Sequence, residues 1–194
     1  MSSTSTTSFD AYSMRGVSLI EILVTIVILA VGLLGLAGLQ MRLQSSEVEA
    51  YQRTQASLLL EDMANRMGGN RKNATSYAAG SASPLGTGDA QPAICGGSGQ
   101  GFDACQWSNA LKGAAEQSGS NNVGAMIGAR GCIENLGADQ YQITVVWQGL
   151  TPISAPASVC GAGLYNGAAG SSCINDLCRR AMSTIVRVAN LGTP

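Results

Sequence analysis

Hydrophobic and polar positions change their arrangement along the chain, and each arrangement predicts a different element. From Val17 to Leu39 the residues are aliphatic or glycine, interrupted only by Ser18, Glu21 and Thr25. At ~1.5 Å rise per residue this run makes about 35 Å of helix, enough to cross a hydrocarbon core of about 30 Å. It is longer than the apolar region of a secretory signal, and no small-residue cleavage site follows it closely, so it is expected to stay attached. Beyond it the helix continues with a changed face. Ala56, Leu59, Leu60, Met63 and Met67 recur at helical spacing and make one apolar stripe. Gly68-Gly69-Asn70 then stops the helix. One helix is therefore predicted from about Val17 to Met67, with residues 17–39 apolar all round and 40–67 amphipathic. Glu49 with Arg53, and Asp62 with Arg66, stand at i,i+4 in the favourable acid-first order.

The remainder, 68–194, reads as a small head: loop and short helix over 68–123, antiparallel sheet over 124–194. Residues 68–102 are rich in Gly, Ala and Ser and show little periodicity. Asp103 and Gln106 have capping-box spacing, and Trp107, Ala110, Leu111 and Ala114 would form the apolar face of the helix they start. Ala125–Glu134 reads as a weak strand and Asn135–Asp139 as a turn. Gln140–Gln148 alternates, with Tyr141, Ile143, Val145 and Trp147 on one face and Gln142, Thr144, Val146 and Gln148 on the other. Leu150–Asp176 is a Gly/Ser-rich excursion, and Arg180–Val188 closes the sheet with Met182, Val186 and Val188 on its apolar side. The fold class is α+β: a long helix, a variable loop, and an antiparallel sheet laid on the helix. Trp107 and Trp147 belong to the core, while Tyr77 and Tyr165, in glycine-rich loops, are candidate exposed contact residues.

Two features of the apolar run ask for more than an anchor. Glu21 lies inside it, where a carboxylate costs on the order of 2.5–3.5 kcal/mol. Either it is solvated near the headgroups or it meets a cation in an assembled state. Gly32, Gly35 and Gly38 each cost roughly 1 kcal/mol against alanine in an isolated helix. They are either merely tolerated in lipid or let neighbouring helices approach and this helix unwind locally.

Composition narrows the chemistry. The formal charge is −1 and only 12% of residues are charged, so no basic footprint for nucleic acid is present. There is no histidine, hence no Ser-His-Asp or Cys-His arrangement. Gly96-Gly97-Ser98-Gly99 lies in low-complexity loop and not between a strand and a helix, so it is no phosphate loop. Glu61 and Asp62 are adjacent on a helix and read as a solvated face. No catalytic constellation and no cofactor is expected.

The 6 cysteines, Cys95, Cys105, Cys132, Cys160, Cys173 and Cys178, all follow the apolar run. An even number outside the membrane reads as up to three disulfides among about 15 connectivities. Cys95 with Cys105 would be a local staple. Cys173 with Cys178, or Cys160 with one of them, would close the final excursion onto the sheet. A zinc site would need scattered thiolates without histidine, so no metal is expected.

The segment Gly16-Val17-Ser18-Leu19-Ile20-Glu21 resembles the processing site of type IV prepilins. That resemblance implies peptidase cleavage between Gly16 and Val17, N-methylation of Val17 and retention of Glu21. It also implies that Glu21 pairs with an amine, its own Val17 amine or, as the family favours, that of a neighbouring subunit. The continuation Ile28-Leu29-Ala30-Val31-Gly32-Leu33-Leu34-Gly35-Leu36-Ala37-Gly38-Leu39-Gln40 resembles the minor pilins of the type IV pilus modification protein (PilV) family. Membership would make residues 1–16 a removed leader and place the head in the periplasm, on a chain anchored in the inner membrane and then in a pilus, at its tip or base. The implied partners are other minor pilins, the major pilin, a tip adhesin, the inner-membrane assembly platform and the prepilin peptidase. Two departures stand out. Val17 replaces the usual phenylalanine, and the leader is Ser/Thr-rich with Arg15 as its only base, which makes Met14 a second candidate start. The alternative is a minor pseudopilin of a type II secretion system, whose anchor is similar.

Overall fold

The structure is a computed structural model, and it describes residues 18–114, 117–119, 121–122, 124 and 126–189. The predicted leader, the cut between Gly16 and Val17, and Ala125 lie outside the described residues. The chain divides into two compact units, Met1–Gln44 and Ser45–Pro194.

In the first unit the described residues are the beginning of α1, a helix that spans Leu19–Gly69. The large apolar side chains of this first stretch, residues 19–43, are all exposed, with Leu19 at 83% and Leu34 at 73%. An apolar stretch with nothing of its own chain to cover it has only lipid or other chains to bury it.

In the second unit α1 buries Gln52, Ala56, Leu60, Met63 and Met67. Leu59, expected in that stripe, is only half-buried. Gln52 extends the buried face one turn earlier, which its polarity hid. After Gly69 a 3₁₀ helix, Arg71–Tyr77, and a two-residue strand β1, Leu85–Gly86, occupy what read as plain loop. Helix α2 is Gln100–Leu111. A small hairpin of β2 (Gln117–Ser118) and β3 (Asn121–Asn122) leads to β4 (Arg130–Gly137), β5 (Gln140–Gln148) and β6 (Arg179–Arg187). The main sheet has the order β1-β4-β5-β6, antiparallel throughout. The alternating segment 140–148 is β5 to the residue. β4 starts later and ends later than the predicted weak strand, running through Asn135 with a register shift before Gly137. The tight turn itself is Ala138-Asp139, both at positive φ.

The predicted capping box does not form. α2 begins four residues earlier with Gly99 at its N-cap, which puts Asp103 inside the first turn. Asp103 and Gln106 instead both accept from Arg66 Nη1 of α1, at 3.3 Å and 2.6 Å. The face of α2 that is buried is Ala104, Cys105, Trp107, Ser108 and Leu111, with Ala110 and Ala114 half-buried at its margin. Glu49 likewise pairs with Arg180 of β6 at 3.1 Å, and not with Arg53 as its spacing suggested. The Asp62–Arg66 pair forms at 3.0 Å.

Trp107 and Trp147 are buried in one core with Met63, Met67, Ile143 and Val145. Trp107 reaches two elements at once. Its indole N–H donates to the Leu59 carbonyl at 2.9 Å, and its ring lies flush on Gly131 of β4, where an added Cβ would come within 2.1 Å of the ring. The other face of the sheet is covered as well. Thr144 and Val146 are buried, the latter in a second cluster with Cys132, Cys160 and Tyr165.

Asp89 pins the loop between β1 and α2. Burial alone would raise its carboxyl, but hydrogen bonds from Lys112, Ser108 and the Gly86 and Gln91 amides outweigh burial and hold it below the usual value. The folded state therefore binds that proton less readily than the unfolded chain. Its contribution is complete above about pH 4 and is lost as pH falls through the lower folded value. Asp89→Asn is accordingly expected to flatten the pH dependence of the urea midpoint below about pH 4; an unchanged acid limb would show the carboxyl is not held down. Gly131→Ala should destabilise the head by about 1–3 kcal/mol through overpacking against Trp107. Gly96→Ala, where a Cβ meets nothing within 4 Å, serves as the control in the same denaturation series.

Candidate functional site

The N-terminal candidates fall at the start of α1. The Ser18 carbonyl accepts from the amides of Glu21 (2.9 Å) and Ile22 (3.3 Å), which opens the helix. Glu21 therefore stands in the first turn. There the unpaired backbone N–H groups carry partial positive charge, which favours a carboxylate. This partner was readable from the sequence only once the helix start was fixed. Thr25 satisfies its hydroxyl within the helix, donating to the Ile22 carbonyl at 2.8 Å. Glu21 is exposed and has no side-chain ion pair among the described residues. Gly16 and Val17, the candidate cut and methylation positions, lie outside those residues.

A Cβ built on Gly32, Gly35 or Gly38 would meet nothing within 4 Å. Nothing in the chain's own packing requires glycine there. The three leave a stretch of helix surface without side chains, open to close approach by another helix.

In the head the disulfides are Cys95–Cys105, Cys132–Cys160 and Cys173–Cys178, and no described cysteine is free. Of the pairings the sequence left open for Cys160, the structure takes none. Cys160 instead crosses to Cys132 on β4 and ties the excursion down at its near end. Arg179, 4% exposed, gathers that excursion from within. Its Nη1 donates to the carbonyls of Ser158 (2.6 Å) and Cys160 (2.8 Å), and its Nη2 to Pro156 (3.3 Å). It also pairs with Asp176 at 3.3 Å.

Tyr77 and Tyr165, expected as exposed contacts, are buried at 1% and 2% exposure. Tyr77 donates to Asp103 and accepts from Asn70. Burial, then the hydrogen bond to the Asp103 carboxylate, push its hydroxyl above the ordinary tyrosine value. Tyr165 donates to the Gly128 carbonyl at 2.7 Å, with the Arg130 guanidinium 5.1 Å from its ring centre. Burial raises its hydroxyl as well. At Tyr165 glycines allow the backbone to close over the ring: a Cβ at Gly128 or Gly161 would stand 3.5 Å or 3.0 Å from it. Among the described residues no group of three or more His, Cys, Asp or Glu could hold a metal ion.

α1 is long and apolar enough to cross a membrane by length and composition, with a mean hydropathy of 2.8 in its most apolar window. Residues 13–37 match the family model for the prokaryotic N-terminal methylation motif. No curated protein and no solved structure matches the chain. The motif carries with it prepilin-peptidase processing and pilus-type assembly partners, and with the apolar helix it points to the inner membrane and the pilus. With that motif on a long N-terminal helix, followed by a four-stranded antiparallel sheet and disulfides, the chain is a type IV pilin- or pseudopilin-like protein of pilin-like α+β fold, structural and not enzymatic.

Proposed function

We propose that this chain is a minor pilin that helps to start type IV pilus assembly and sits in the complex at the filament tip. The observation that carries the reading is Glu21, a carboxylate five residues beyond the expected cut after Gly16, in an otherwise apolar run that lies within the matched motif. In this reading residues 1–16 are a leader, Val17 is the methylated N-terminus, 17–39 is the filament-core half of the helix, 40–67 its amphipathic half, and 68–194 the periplasmic head. Oxidised cysteines fit that compartment. Its partners are the other minor pilins, the major pilin, a tip adhesin, the assembly platform and the prepilin peptidase. The run Gly32-Leu33-Leu34-Gly35-Leu36-Ala37-Gly38-Leu39-Gln40 and the cysteine-rich head favour a pilus over a type II secretion pseudopilus, the second reading.

Cleavage after Gly16 creates an amine on Val17. A carboxylate in an apolar filament core favours such a cation, its own or a neighbour's, and a misaligned subunit leaves both charges unpaired. The pair selects and registers subunits even where it adds little net stability.

Mass spectrometry of the mature protein should find N-methylvaline at Val17, and Gly16→Ala should accumulate uncut chain. An intact leader on assembled protein would remove the processing claim. In a strain lacking the protein, Glu21→Gln should insert into the membrane normally yet reduce surface pili and co-purification of minor pilins. Glu21→Asp, with a shorter reach, should restore only part of both. Normal pilus counts with Glu21→Gln would leave Glu21 as a solvated interfacial residue, and lost secretion with intact pili would favour the pseudopilus.

A further inference from the structure

β6 is an outer strand: β5 lies on one side, and no described strand pairs with the other. The ladder determines which of its main-chain groups look outward. The Val188 amide donates to the Asp139 carbonyl at 2.9 Å, and the Gly149 amide to the Cys178 carbonyl at 2.7 Å. Carried along the register, the residues that exchange bonds with β5 are Arg180, Met182, Thr184 and Val186. The alternate residues Ala181, Ser183, Ile185 and Arg187 therefore direct N–H and C=O away from the sheet.

Exposed edges are usually blunted by charge, proline, shortness or a covering segment. β6 is 9 residues long, has no proline, and carries no charge from Ala181 to Val186. Ile185 is 62% exposed. Beside this edge, on the side facing α1, lies a cavity of about 280 Å³ bounded by Ser57, Leu60, Glu61 and Ala64 of α1 and by Met182 and Thr184 of β6. A strand added to the edge would place alternate side chains in that cavity. Its walls are apolar or hydroxyl except for Glu61, which is exposed and has no ion-pair partner among the described residues.

We propose that the outer edge of β6 receives an extended strand of a different protein, which carries a basic side chain into the α1–β6 groove toward Glu61. A second copy of this chain pairing through its own β6 does not supply that side chain. In an antiparallel β6–β6 pair the outward groups of both strands belong to odd-numbered residues, so odd residues pair with odd. The even set, Arg180, Met182, Thr184 and Val186, would then face α1, and its one cation, Arg180, is 6% exposed and already held by Glu49 of its own chain at 3.1 Å. Charge complementarity thus selects a heterologous strand. The inference rests on the assembly-subunit reading only for the source of that partner.

The test uses the full chain, expressed in its own cells in place of the native copy, with a photo-cross-linking residue at Ser57. The expected adduct is to another protein, at an extended segment containing Lys or Arg. Ile185→Pro removes one outward N–H and leaves the β5 ladder bonds in place, because Ile185 does not donate to β5. It should lower adduct yield about tenfold, as should Glu61→Lys, both without a change in thermal midpoint. An acidic substitution of the cross-linked partner's Lys or Arg should restore yield with Glu61→Lys. Yield unchanged by both variants, or adducts only between copies of this chain, overturns the inference. Surface filaments are counted in the same cells. Filaments without an adduct overturn the edge inference alone, whereas the stated adduct without filaments supports it and overturns the pilus reading.

Discussion

Burial of Trp107 between α1 and β4 is the contact through which the parts of the head hold one another. An indole ring of this kind buries about 150–250 Å², which at about 25 cal/mol per Å² contributes several kcal/mol. The surface ion pairs around it are worth at most about 1 kcal/mol each. Apolar contact therefore decides that α2 and the sheet stay on the helix. Gly131 makes the contact possible, since any side chain there would meet the ring. The indole N–H then removes ambiguity about position, because its bond to the Leu59 carbonyl is made at one place along α1.

Polar contacts to either side fix the register that apolar contact leaves loose. Arg66 ties α1 to α2 through Asp103 and Gln106. Further toward the N-terminus, Arg180 is 6% exposed and reaches Glu49 across from β6. Its guanidinium also donates to the Thr151 carbonyl at 2.7 Å and fits only because Gly149 has no Cβ, which would stand 2.6 Å from Arg180 Cζ. A buried guanidinium without its carboxylate is costly, so a slip of α1 along the sheet is penalised even if the net worth of the pair is small.

The α+β order, the boundaries of β5 and the amphipathic turn from Ala56 to Met67 were legible because each repeats a period over several residues. What was not legible came from partners distant in sequence. Asp103 and Gln106 have the spacing of a local cap, but Arg66, 37 residues from Asp103, competes for both and wins. Glu49 is drawn from Arg53 by Arg180, 131 residues away. Gln52 is buried by the packing around it and not by its own chemistry. Tyr77 and Tyr165 sit among glycines that look like solvent-exposed loop, yet each ring is enclosed by segments brought in from elsewhere. Cysteine pairing is of the same kind. Cys132–Cys160 joins a strand to a loop at a sequence separation of 28, and no local pattern announces it. At the N-terminus the reverse holds: the motif over residues 13–37 is wholly local and carries most of the functional reading.

The excursion from Leu150 to Asp176 shows why so weakly apolar a segment keeps its place. Asp176 is its only charged residue, and its carbonyls converge on the Arg179 guanidinium. A cation is drawn into the fold to collect backbone acceptors, while two disulfides limit the freedom of the unfolded loop. The buried charges Arg179 and Arg180 and the half-buried Asp89 thus follow one rule, in which each finds an opposite charge within the chain. Glu21 and Glu61 depart from it, both exposed and without an ion pair among the described residues. Glu21 stands in an apolar helix surface and Glu61 beside an open sheet edge. Charges that fold the chain are closed off within it. These two stand where its uncovered apolar and backbone groups are, on the surfaces that a neighbour in an assembly would have to match.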